Sequence, residues 1–442
     1  MIKILQVRNI DSFVESRRQK TSEKDRKTVQ VILNDVRKNG DSAVKKYERK
    51  FNGRKTSQLR VSAKEIKEAR SKISILEKSA LGRINLFSEQ ILRQYLKDWG
   101  KGGKKFIIKG KQTTRSDFEK SSSGATISRR KRFIPISSVG CYIPGGQARY
   151  PSSAVMSITP AKMAGVKRIV AVSPSGRDGK IDPLTIAAAK YAGATEIYKV
   201  GGAQAIGALA YGTKSIPKVD KIVGPGGKFV SIAKSLVSDQ TAIDMVAGPT
   251  ELGIMVDASS DPELIALDLI SQAEHSKDTM CFVITKSKTM AKQIQKSLEK
   301  LIPTTERSSI IKESISKNGF IAVCKNRKEM IELANKIAPE HMELMVKNAK
   351  TLSKKITGAV LLLIGKDTPS AASDYVLGTN HILPTSGFGR TRGGLSVLDF
   401  LKIQTVVESK KLALSRLRRT LKTLTDAEDL PNHYKAVKRR LD

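Results

Sequence analysis

Histidine is scarce in this chain, and each histidine lies in a short segment rich in acids, amides or small residues. There are four, His275, His341, His381 and His433. Imidazole both ligates transition metals and exchanges protons near neutral pH, so a chain with so few histidines is expected to use them in chemistry. The alternative is four unrelated structural histidines, since buried, hydrogen-bonded histidines are common.

Gln272 and His275 are three residues apart at the end of a predicted helix, which places them on one face. A neutral imidazole and an amide oxygen can both ligate a hard or borderline cation. The pair alone is weak evidence, because glutamine is an uncommon ligand. Asp374 and His433 are further candidates, and the four together would make a mixed nitrogen and oxygen site in which substrate completes the coordination. Spacing along the sequence does not show that they converge.

Glu340 and His341 are adjacent, follow Pro339 and precede the strand-like segment MELMV. Adjacent residues on a strand or turn diverge, so we predict that they serve two different steps and do not form one relay. A histidine with an ordinary pKa near 6.5 suits general-base work, and a neighbouring carboxylate can activate water. The alternative is a charge pair at a helix end.

Three glycine-rich loops are predicted at strand-to-helix junctions: Pro144-Gly145-Gly146, Gly201-Gly202 and Gly224-Pro225-Gly226-Gly227. Glycines at such junctions let backbone amides approach a phosphate at the start of the helix. None of the loops matches GxGxxG, the standard dinucleotide fingerprint. Three loops together still favour phosphate or dinucleotide binding over plain turns.

The elements that must position these residues alternate between strand and helix from Phe133 onwards, which indicates parallel sheets with crossover helices. Predicted strands form a first set, Arg168 to Val172, Glu196 to Val200 and Lys221 to Val223, and a second set, Leu252 to Val256, Cys281 to Thr285, Phe320 to Val323 and Ala359 to Ile364. The residues before about 130 are predicted to be charged helices. The segment after Asp399 is predicted to be one long helix, Phe400 to Leu424, then a turn and a short basic helix.

Composition narrows the class of protein. The formal net charge of +38 would attract phosphate-bearing partners, but the lysines and arginines are spread along the chain without interleaved aromatics, so we expect no dedicated nucleic-acid role. No apolar run is long enough to span a membrane, and the first residues lack a signal-peptide pattern, so a cytoplasmic protein is expected. The three cysteines have no CxxC spacing and are expected to be reduced core thiols.

Eight motifs carry a resemblance to a known family. They are, in order, VGCYIPGG, VGGAQAIGALAYGT, PKVDKIVGPGG, AIDMVAGPTE, DLISQAEH, APEHMEL, SDYVLGTNHILPT and AEDLPNHYKAV. From about residue 133 to 437 the chain resembles the histidinol dehydrogenase family, with these motifs in the family's order. The first 130 residues resemble the family only in their general pattern of residue types.

The resemblance implies a role for each matching residue. Gln272, His275, Asp374 and His433 resemble the family's zinc ligands, and Glu340 and His341 its catalytic pair. The residues implied to contact substrate are Thr250, which stands where many members have serine, with His381 and Glu428, and also the four zinc ligands and His341. Those implied to contact NAD are Tyr142, Gln204 and Gly227, the last replacing the family's usual asparagine.

The resemblance also implies the reaction and the architecture. The reaction would be oxidation of L-histidinol to L-histidine with two NAD in succession and one Zn²⁺ per site, the last step of histidine biosynthesis. The fold class would be α/β, with two Rossmann-like parallel-sheet domains, a helical N-terminal region and an extended helical C-terminal tail. A homodimer would share its active sites. The implied segments are an N-terminal arm, 1–30; a discontinuous catalytic domain, 31–132 with 242–385; an NAD-contacting domain, 133–241; and an exchanged tail, 386–442.

Two other enzyme classes stay open on the residues alone. A dehydrogenase of the same fold that oxidises another small alcohol would keep the zinc ligands and change the residues that recognise imidazole; Glu428 and His381 weigh against it. A metal-dependent hydrolase would have no use for the glycine loops. Reduction of NAD in the presence of histidinol separates these possibilities.

Overall fold

A computed structural model describes residues 1–17, 22–53, 58–101, 114–115, 127–145, 149–176 and 178–442. The chain divides into two compact units, and each is described separately. Unit 1 comprises Met1–Ile91 and Ser137–Asp399, and unit 2 comprises Leu92–Ile136 and Phe400–Asp442.

The strands are β1 (Lys3–Gln6), β2 (Thr114–Arg115), β3 (Ile127–Pro135), β4 (Ser138–Tyr142), β5 (Arg168–Ser173), β6 (Glu196–Lys199), β7 (Lys221–Val223), β8 (Ala242–Ile243), β9 (Glu251–Val256), β10 (Met280–Thr285), β11 (Phe320–Val323), β12 (His341–Met345), β13 (Leu361–Ile364) and β14 (Leu401–Ser409). The helices are α1 (Ile10–Glu15), α2 (Glu23–Asn39), α3 (Asp41–Asn52), α4 (Ala63–Lys72), α5 (Ile75–Lys101), α6 (Pro151–Ala164), α7 (Pro183–Ala192), α8 (Gly202–Tyr211), α9 (Lys228–Val237), α10 (Pro262–Ala273), α11 (Lys288–Leu301), α12 (Ser308–Lys317), α13 (Arg327–Ile337), α14 (Ala349–Ser353), α15 (Ser370–Ser373), α16 (Lys411–Arg416), α17 (Arg418–Ala427) and α18 (Pro431–Leu441). Short 3₁₀ turns occupy Ile302–Thr304, Phe388–Arg390 and Val397–Phe400.

Unit 1 contains two parallel sheets. The six-stranded sheet has the order β1-β11-β10-β9-β12-β13 and the five-stranded sheet the order β6-β5-β4-β7-β8. Every pairing in both sheets is parallel. Parallel strands with helices on both faces are buried on both sides, so they form continuous apolar runs in the sequence. The predicted α/β class with two parallel sheets is therefore confirmed, and each predicted strand overlaps one that the structure contains.

The N-terminal helices belong to the core of the five-stranded sheet. Val29, Leu33 and Val36 of α2 are fully buried and lie in the same apolar cluster as Ile206 and Leu209 of α8. This packing differs from the implied grouping of residues 31–132 with the catalytic domain. The reason is that the three- and four-residue apolar spacing defines a buried face of a helix but does not specify which sheet covers it.

Unit 2 contains an antiparallel ribbon, in which β14 pairs with β3 over its whole length. The prediction of a single helix from Phe400 to Leu424 is therefore wrong over its first part. The β14 segment carries β-branched residues at alternate positions, Ile403, Thr405 and Val407, a pattern that favours a strand once a partner is present. The helices α16, α17 and α18 follow the strand.

The cysteines Cys141, Cys281 and Cys324 are buried free thiols. Burial raises the pKa of each thiol, that of Cys324 to about 12, so they behave as small apolar core residues. Across the described ranges, no helix combines the length and apolar character that a membrane span requires. The cytoplasmic location stays a prediction.

Candidate active site

The candidate catalytic residues lie at the amino ends of two neighbouring strands. Thr250 immediately precedes β9, Glu340 immediately precedes β12, and His341 begins β12 opposite Leu252. Helix α10 connects β9 to β10 and runs back across the sheet, so its last turn returns to the same edge. Gln272 lies in that turn, and the backbone N–H of His275 donates to the Gln272 carbonyl just beyond the helix.

A chain of hydrogen bonds joins three of these side chains. The Gln272 amide Nε2 donates to Thr250 Oγ1 at 2.7 Å, and the Thr250 hydroxyl donates to Glu340 Oε2 at 2.5 Å. The same carboxylate oxygen accepts the backbone N–H of Glu251 at 3.0 Å. Gln272 and Glu340 are buried, so these bonds hold the Glu340 carboxylate in one place.

His341 lies between two carboxylates. Its Nδ1 is 3.3 Å from the Glu251 carbonyl oxygen, which can only accept, so Nδ1 carries the proton. The same Nδ1 is 3.7 Å from Glu340 Oε2, and Nε2 is 3.6 Å from Asp374 Oδ1. Nε2 is buried and has no hydrogen-bond partner among the described residues. The expectation that Glu340 and His341 diverge is therefore wrong, because both side chains turn into the same buried site.

Electrostatics favours the protonated form of this pair. Burial alone would lower the pKa of His341, but the Glu340 and Asp374 carboxylates outweigh it and raise the pKa to about 9. Burial raises the pKa of Glu340, although the charge of His341 and the hydrogen bond from Thr250 oppose the rise. In this state His341 carries a proton at neutral pH and can donate it but cannot accept one.

Asp374 immediately follows helix α15 and contacts two histidines of unit 1, His341 and His381. His381 Nδ1 lies 2.9 Å from the Asp374 carbonyl oxygen, which can only accept, so Nδ1 donates to it, and Nε2 lies 3.0 Å from Ser153 Oγ. Both ring nitrogens of His381 are thus engaged within unit 1. A substrate that binds His381 would have to replace the Ser153 hydroxyl.

The protonation states of two predicted zinc ligands suit a metal. Burial lowers the pKa of His275, which leaves its imidazole neutral at pH 7. Burial would raise the pKa of Asp374, but His341, His381 and His275 lower it below its ordinary value, so the carboxylate is ionised. A neutral imidazole and a carboxylate are the forms that ligate Zn²⁺. In the described parts of the chain, no three His, Cys, Asp or Glu side chains are grouped closely enough to hold an ion by themselves.

The predicted NAD-contacting residues form a second group, at the carboxyl ends of the five-stranded sheet. Tyr142 ends β4, and its hydroxyl oxygen accepts the Gly202 N–H at 3.1 Å. Gln204 in α8 is buried, and its Nε2 donates to Glu48 Oε1 at 2.8 Å. The Gln204 oxygen is buried without a hydrogen-bond partner among the described residues.

The loop after β7 is held by a buried ion pair. Lys234 Nζ is 2.5 Å from Asp244 Oδ1 and also donates to the Gly224 carbonyl at 2.8 Å, while Asp244 Oδ2 accepts the Gly224 N–H. Gly224 has φ of +111° and would bring a Cβ against the Tyr142 carbonyl, so only glycine fits there. Of the three predicted glycine loops, those after β6 and β7 lie at strand-to-helix junctions as predicted, and Gly146 of the third lies outside the described residues.

Glu428 and His433 lie in unit 2. Glu428 immediately follows helix α17, and His433 is in the first turn of α18. Of the predicted zinc ligands, unit 1 supplies Gln272, His275 and Asp374.

Comparison with known proteins decides the family. A family model described as histidinol dehydrogenase matches residues 15–441. A histidinol dehydrogenase of Methanococcus maripaludis is 43% identical over 421 residues, which cover 94% of this chain and 93% of the relative. One from Bacillus cereus is 40% identical over 418 residues, 94% of this chain and 92% of the relative. The chain belongs to the histidinol dehydrogenase family.

A solved structure agrees with this assignment. The histidinol dehydrogenase of Elizabethkingia anophelis superposes with a TM-score of 0.87 at 30% identity, covering 100% of this chain and 98% of that one. The predicted resemblance is confirmed, and membership makes the protein an NAD-dependent dehydrogenase. The roles of the individual site residues stay predictions.

Several residues of the site were missed at the sequence level. Glu251 contacts both catalytic residues through its backbone, Ser153 binds His381, and Glu48 binds Gln204. Glu251 and Asp244 stand inside one of the family-like motifs, AIDMVAGPTE, and could have been singled out there. Glu48 lies in an ordinary charged helix, and no sequence signal distinguishes it.

Proposed function

We propose that this protein converts L-histidinol to L-histidine in two successive oxidations, each with one NAD, as the last step of histidine biosynthesis. The observation that supports it best is the convergence of Thr250, Glu340, His341 and Asp374 at one edge of the six-stranded sheet. In such a site His341 would serve as the base, Glu340 as the carboxylate that activates water, and Asp374 as a metal ligand, all in one buried place. The overall reaction consumes one water and two NAD⁺ and yields two NADH and three protons.

His341 would take the hydroxyl proton as the first hydride leaves for NAD. Water would then add to the aldehyde with the help of Glu340, and the hydrate would lose the second hydride. A base must be neutral, whereas the carboxylates of Glu340 and Asp374 raise the pKa of His341 to about 9. Any cation that neutralises Asp374 removes one of these two contributions and favours the neutral base.

The residues that would hold Zn²⁺ are Gln272, His275, Asp374 and His433. Bound zinc would supply a fixed positive charge that orients the amino and imidazole groups of the substrate and would take no part in the redox change. The neutral state of His275 and the ionised state of Asp374 support this assignment.

Metal analysis tests the ligand set. His275→Ala and Asp374→Ala should each purify with less than about a tenth of the zinc of the parent protein, since loss of one ligand of four removes much of the affinity. Thermal unfolding should show that both variants are folded. Lys277→Ala, an exposed residue beside His275, is the matched control and should keep its zinc. Full zinc occupancy in both ligand variants would refute the assignment.

A cofactor-reduction assay tests the reaction as a whole. With NAD and a panel of amino alcohols, absorbance of reduced cofactor should rise with L-histidinol and yield two NADH per molecule consumed. A faster reaction with another small alcohol would support the dehydrogenase alternative. No reduction of NAD with any alcohol of the panel would count against both dehydrogenases and leave the hydrolase.

Gly227 offers a test of the NAD-contacting loop. It is the residue before helix α9, and a Cβ placed there meets nothing within 4 Å, so the family's usual asparagine fits without strain. Gly227→Asn supplies a helix-capping side chain beside the proposed phosphate site. An added contact that stabilises the ground state and the transition state equally lowers KM and leaves kcat unchanged. We therefore expect KM for NAD to fall by about two- to tenfold with little change in kcat.

Gly393→Asn is the control for that substitution, because Gly393 also has open space around its Cβ. It should leave KM for NAD unchanged. An unchanged or raised KM in folded Gly227→Asn protein would remove Gly227 from the cofactor site.

We also propose a homodimer with two shared active sites, each completed by Glu428 and His433 of the other chain. The tail supports it, because helix α18 has no buried residue in the described chain and Ile403, Val407 and Leu424 are more than half exposed. Apolar side chains left uncovered in this way are typical of an interface. Leu264 and Leu267 of α10 are also exposed.

A further inference from the structure

Lys234 and Asp244 form hydrogen bonds to both backbone polar groups of Gly224, the first residue after β7. Lys234 Nζ donates to the Gly224 carbonyl at 2.8 Å, and Asp244 Oδ2 accepts the Gly224 N–H at 2.8 Å. Lys234 Nζ and Asp244 Oδ1 also pair with each other at 2.5 Å, and both side chains are almost wholly buried. The donor and the acceptor of Gly224 are therefore both bonded to one ion pair.

Apolar side chains could fill this part of the core without any charge. Val223 and Met245, which flank Gly224 and Asp244, and Ala233, beside Lys234, are all buried apolar residues. Moving two charges out of water costs free energy, and replacing a buried ion pair by apolar residues of similar volume is often neutral or stabilising. The two charges are therefore expected to have a role beyond packing, and the residue that both contact is Gly224.

The loop from Gly224 to Gly227 connects two of the predicted NAD contacts. Gly224 has φ of +111°, and it lies so close to the Tyr142 carbonyl that a Cβ at Gly224 would clash there. Gly227 is the residue before helix α9, and Lys234 lies on that helix. A shift of Gly224 would therefore change its contact with Tyr142 and move Gly227.

We propose that Lys234 and Asp244 are positioning residues for NAD, which hold the loop from Gly224 to Gly227 in the conformation that binds the cofactor. This inference rests on the proposed cofactor site. Neither side chain touches NAD in this scheme, because both act through the backbone of Gly224. If the loop without them takes the binding conformation for about a tenth of the time, the dissociation constant for the cofactor rises about tenfold.

The double variant Lys234→Met/Asp244→Leu separates positioning from stability. It removes both charges together, so no unpaired charge stays buried and the protein should fold. Gly224 loses both partners, so the dissociation constant for NADH, measured by NADH fluorescence, should rise at least about tenfold. KM for NAD should rise with it, whereas KM for histidinol should stay within about twofold of the parent value.

Arg168 and Glu196 provide the matched control. Arg168 Nε pairs with Glu196 Oε1 at 2.7 Å, and the guanidinium also donates to the carbonyls of Pro217 and Lys218. This pair likewise holds a backbone segment, but Arg168 and Glu196 begin β5 and β6, at the opposite end of the same parallel sheet from Gly224. Arg168→Met/Glu196→Leu should therefore leave the dissociation constant for NADH within about twofold of the parent value.

Asp244→Asn is a milder change, for use if the double variant does not fold. Lys234 keeps the asparagine oxygen on its own side, so the amide N–H₂ faces the Gly224 N–H, and two donors cannot bond to each other. The dissociation constant for NADH should rise at least about threefold. In both variants, hydrogen exchange of the Gly224 amide should be at least about tenfold faster, because exchange follows opening of the loop.

The outcomes are distinct. A folded double variant, or Asp244→Asn protein, that binds NADH as the parent does would overturn the positioning role. An equal loss of binding in Arg168→Met/Glu196→Leu would also overturn it, because the effect would then follow stability and not the loop. If the parent protein binds no NADH, the proposed function fails instead. Exchange of the Gly224 amide then still tests the pair, and an unchanged rate in the variants would show that it does not hold the loop.

Discussion

Glu340→Gln is expected to slow oxidation of the aldehyde by roughly 10² more than oxidation of the alcohol, the usual worth of a positioned acid or base. The reason is that water must be activated only in the second step. The amide still accepts the Thr250 hydroxyl and the Glu251 N–H, so the hydrogen-bond chain from Gln272 survives and the fold is retained. Rates measured separately with histidinol and with histidinal give the two half-reactions.

The same variant should shift the pH profile of the first step. The Glu340 carboxylate is the largest contribution that raises the pKa of His341, so its loss lowers that pKa from about 9. A base works above its pKa, so alcohol oxidation by Glu340→Gln should extend to lower pH. Glu263→Gln is a suitable charge-matched control. Equal losses in both half-reactions with an unshifted profile would contradict the division of labour between Glu340 and His341.

Mixing two inactive chains should restore activity if the active sites are shared. His341→Ala removes the proposed base, and His433→Ala removes the ligand supplied by unit 2; each homodimer should be nearly inactive. In a heterodimer one of the two sites would contain both mutations and the other neither. Random pairing in a twofold-symmetric dimer makes about half of the dimers mixed, so about a quarter of the parent activity should return after co-refolding.

The control is a mixture of His341→Ala with Asp374→Ala. Both residues lie in unit 1 of one chain, so each site of that heterodimer keeps at least one mutation and activity should stay low. Heterodimer formation can be verified with two different affinity tags. No recovery with His433→Ala despite proven heterodimers would mean that each site is built within one chain.

The strands and their glycine loops were predictable from local sequence. Lys221–Val223 is predicted and observed with the same bounds, followed by the glycine loop before α9. The strands are predictable because a strand buried on both faces is a continuous apolar run in the sequence. The loops are predictable because a left-handed or crowded backbone, such as that of Gly224, accommodates only glycine. The reduced thiols were also predictable, because the cysteines have no CxxC spacing.

Local pattern was insufficient where a distant partner decides the conformation. The segment Leu401–Ser409 is a strand because β3, more than 250 residues earlier in the chain, pairs with it, and the helical spacing of its neighbours concealed this. Likewise, adjacent residues normally diverge, but Glu340 lies just before β12 and His341 begins it, and their side chains approach to 3.7 Å.

The sequence by itself determined the residue types available for chemistry, the order of the motifs and the family to which the chain belongs. Only the tertiary structure decided which of those residues meet. Thr250 and Glu340 are 90 positions apart, and they touch because β9 and β12, which are not consecutive in the chain, are neighbours in the sheet. Helix α10 returns Gln272 to the same edge. Strand order depends on how all the helices and strands bury their apolar faces together, and no short segment of sequence contains that information.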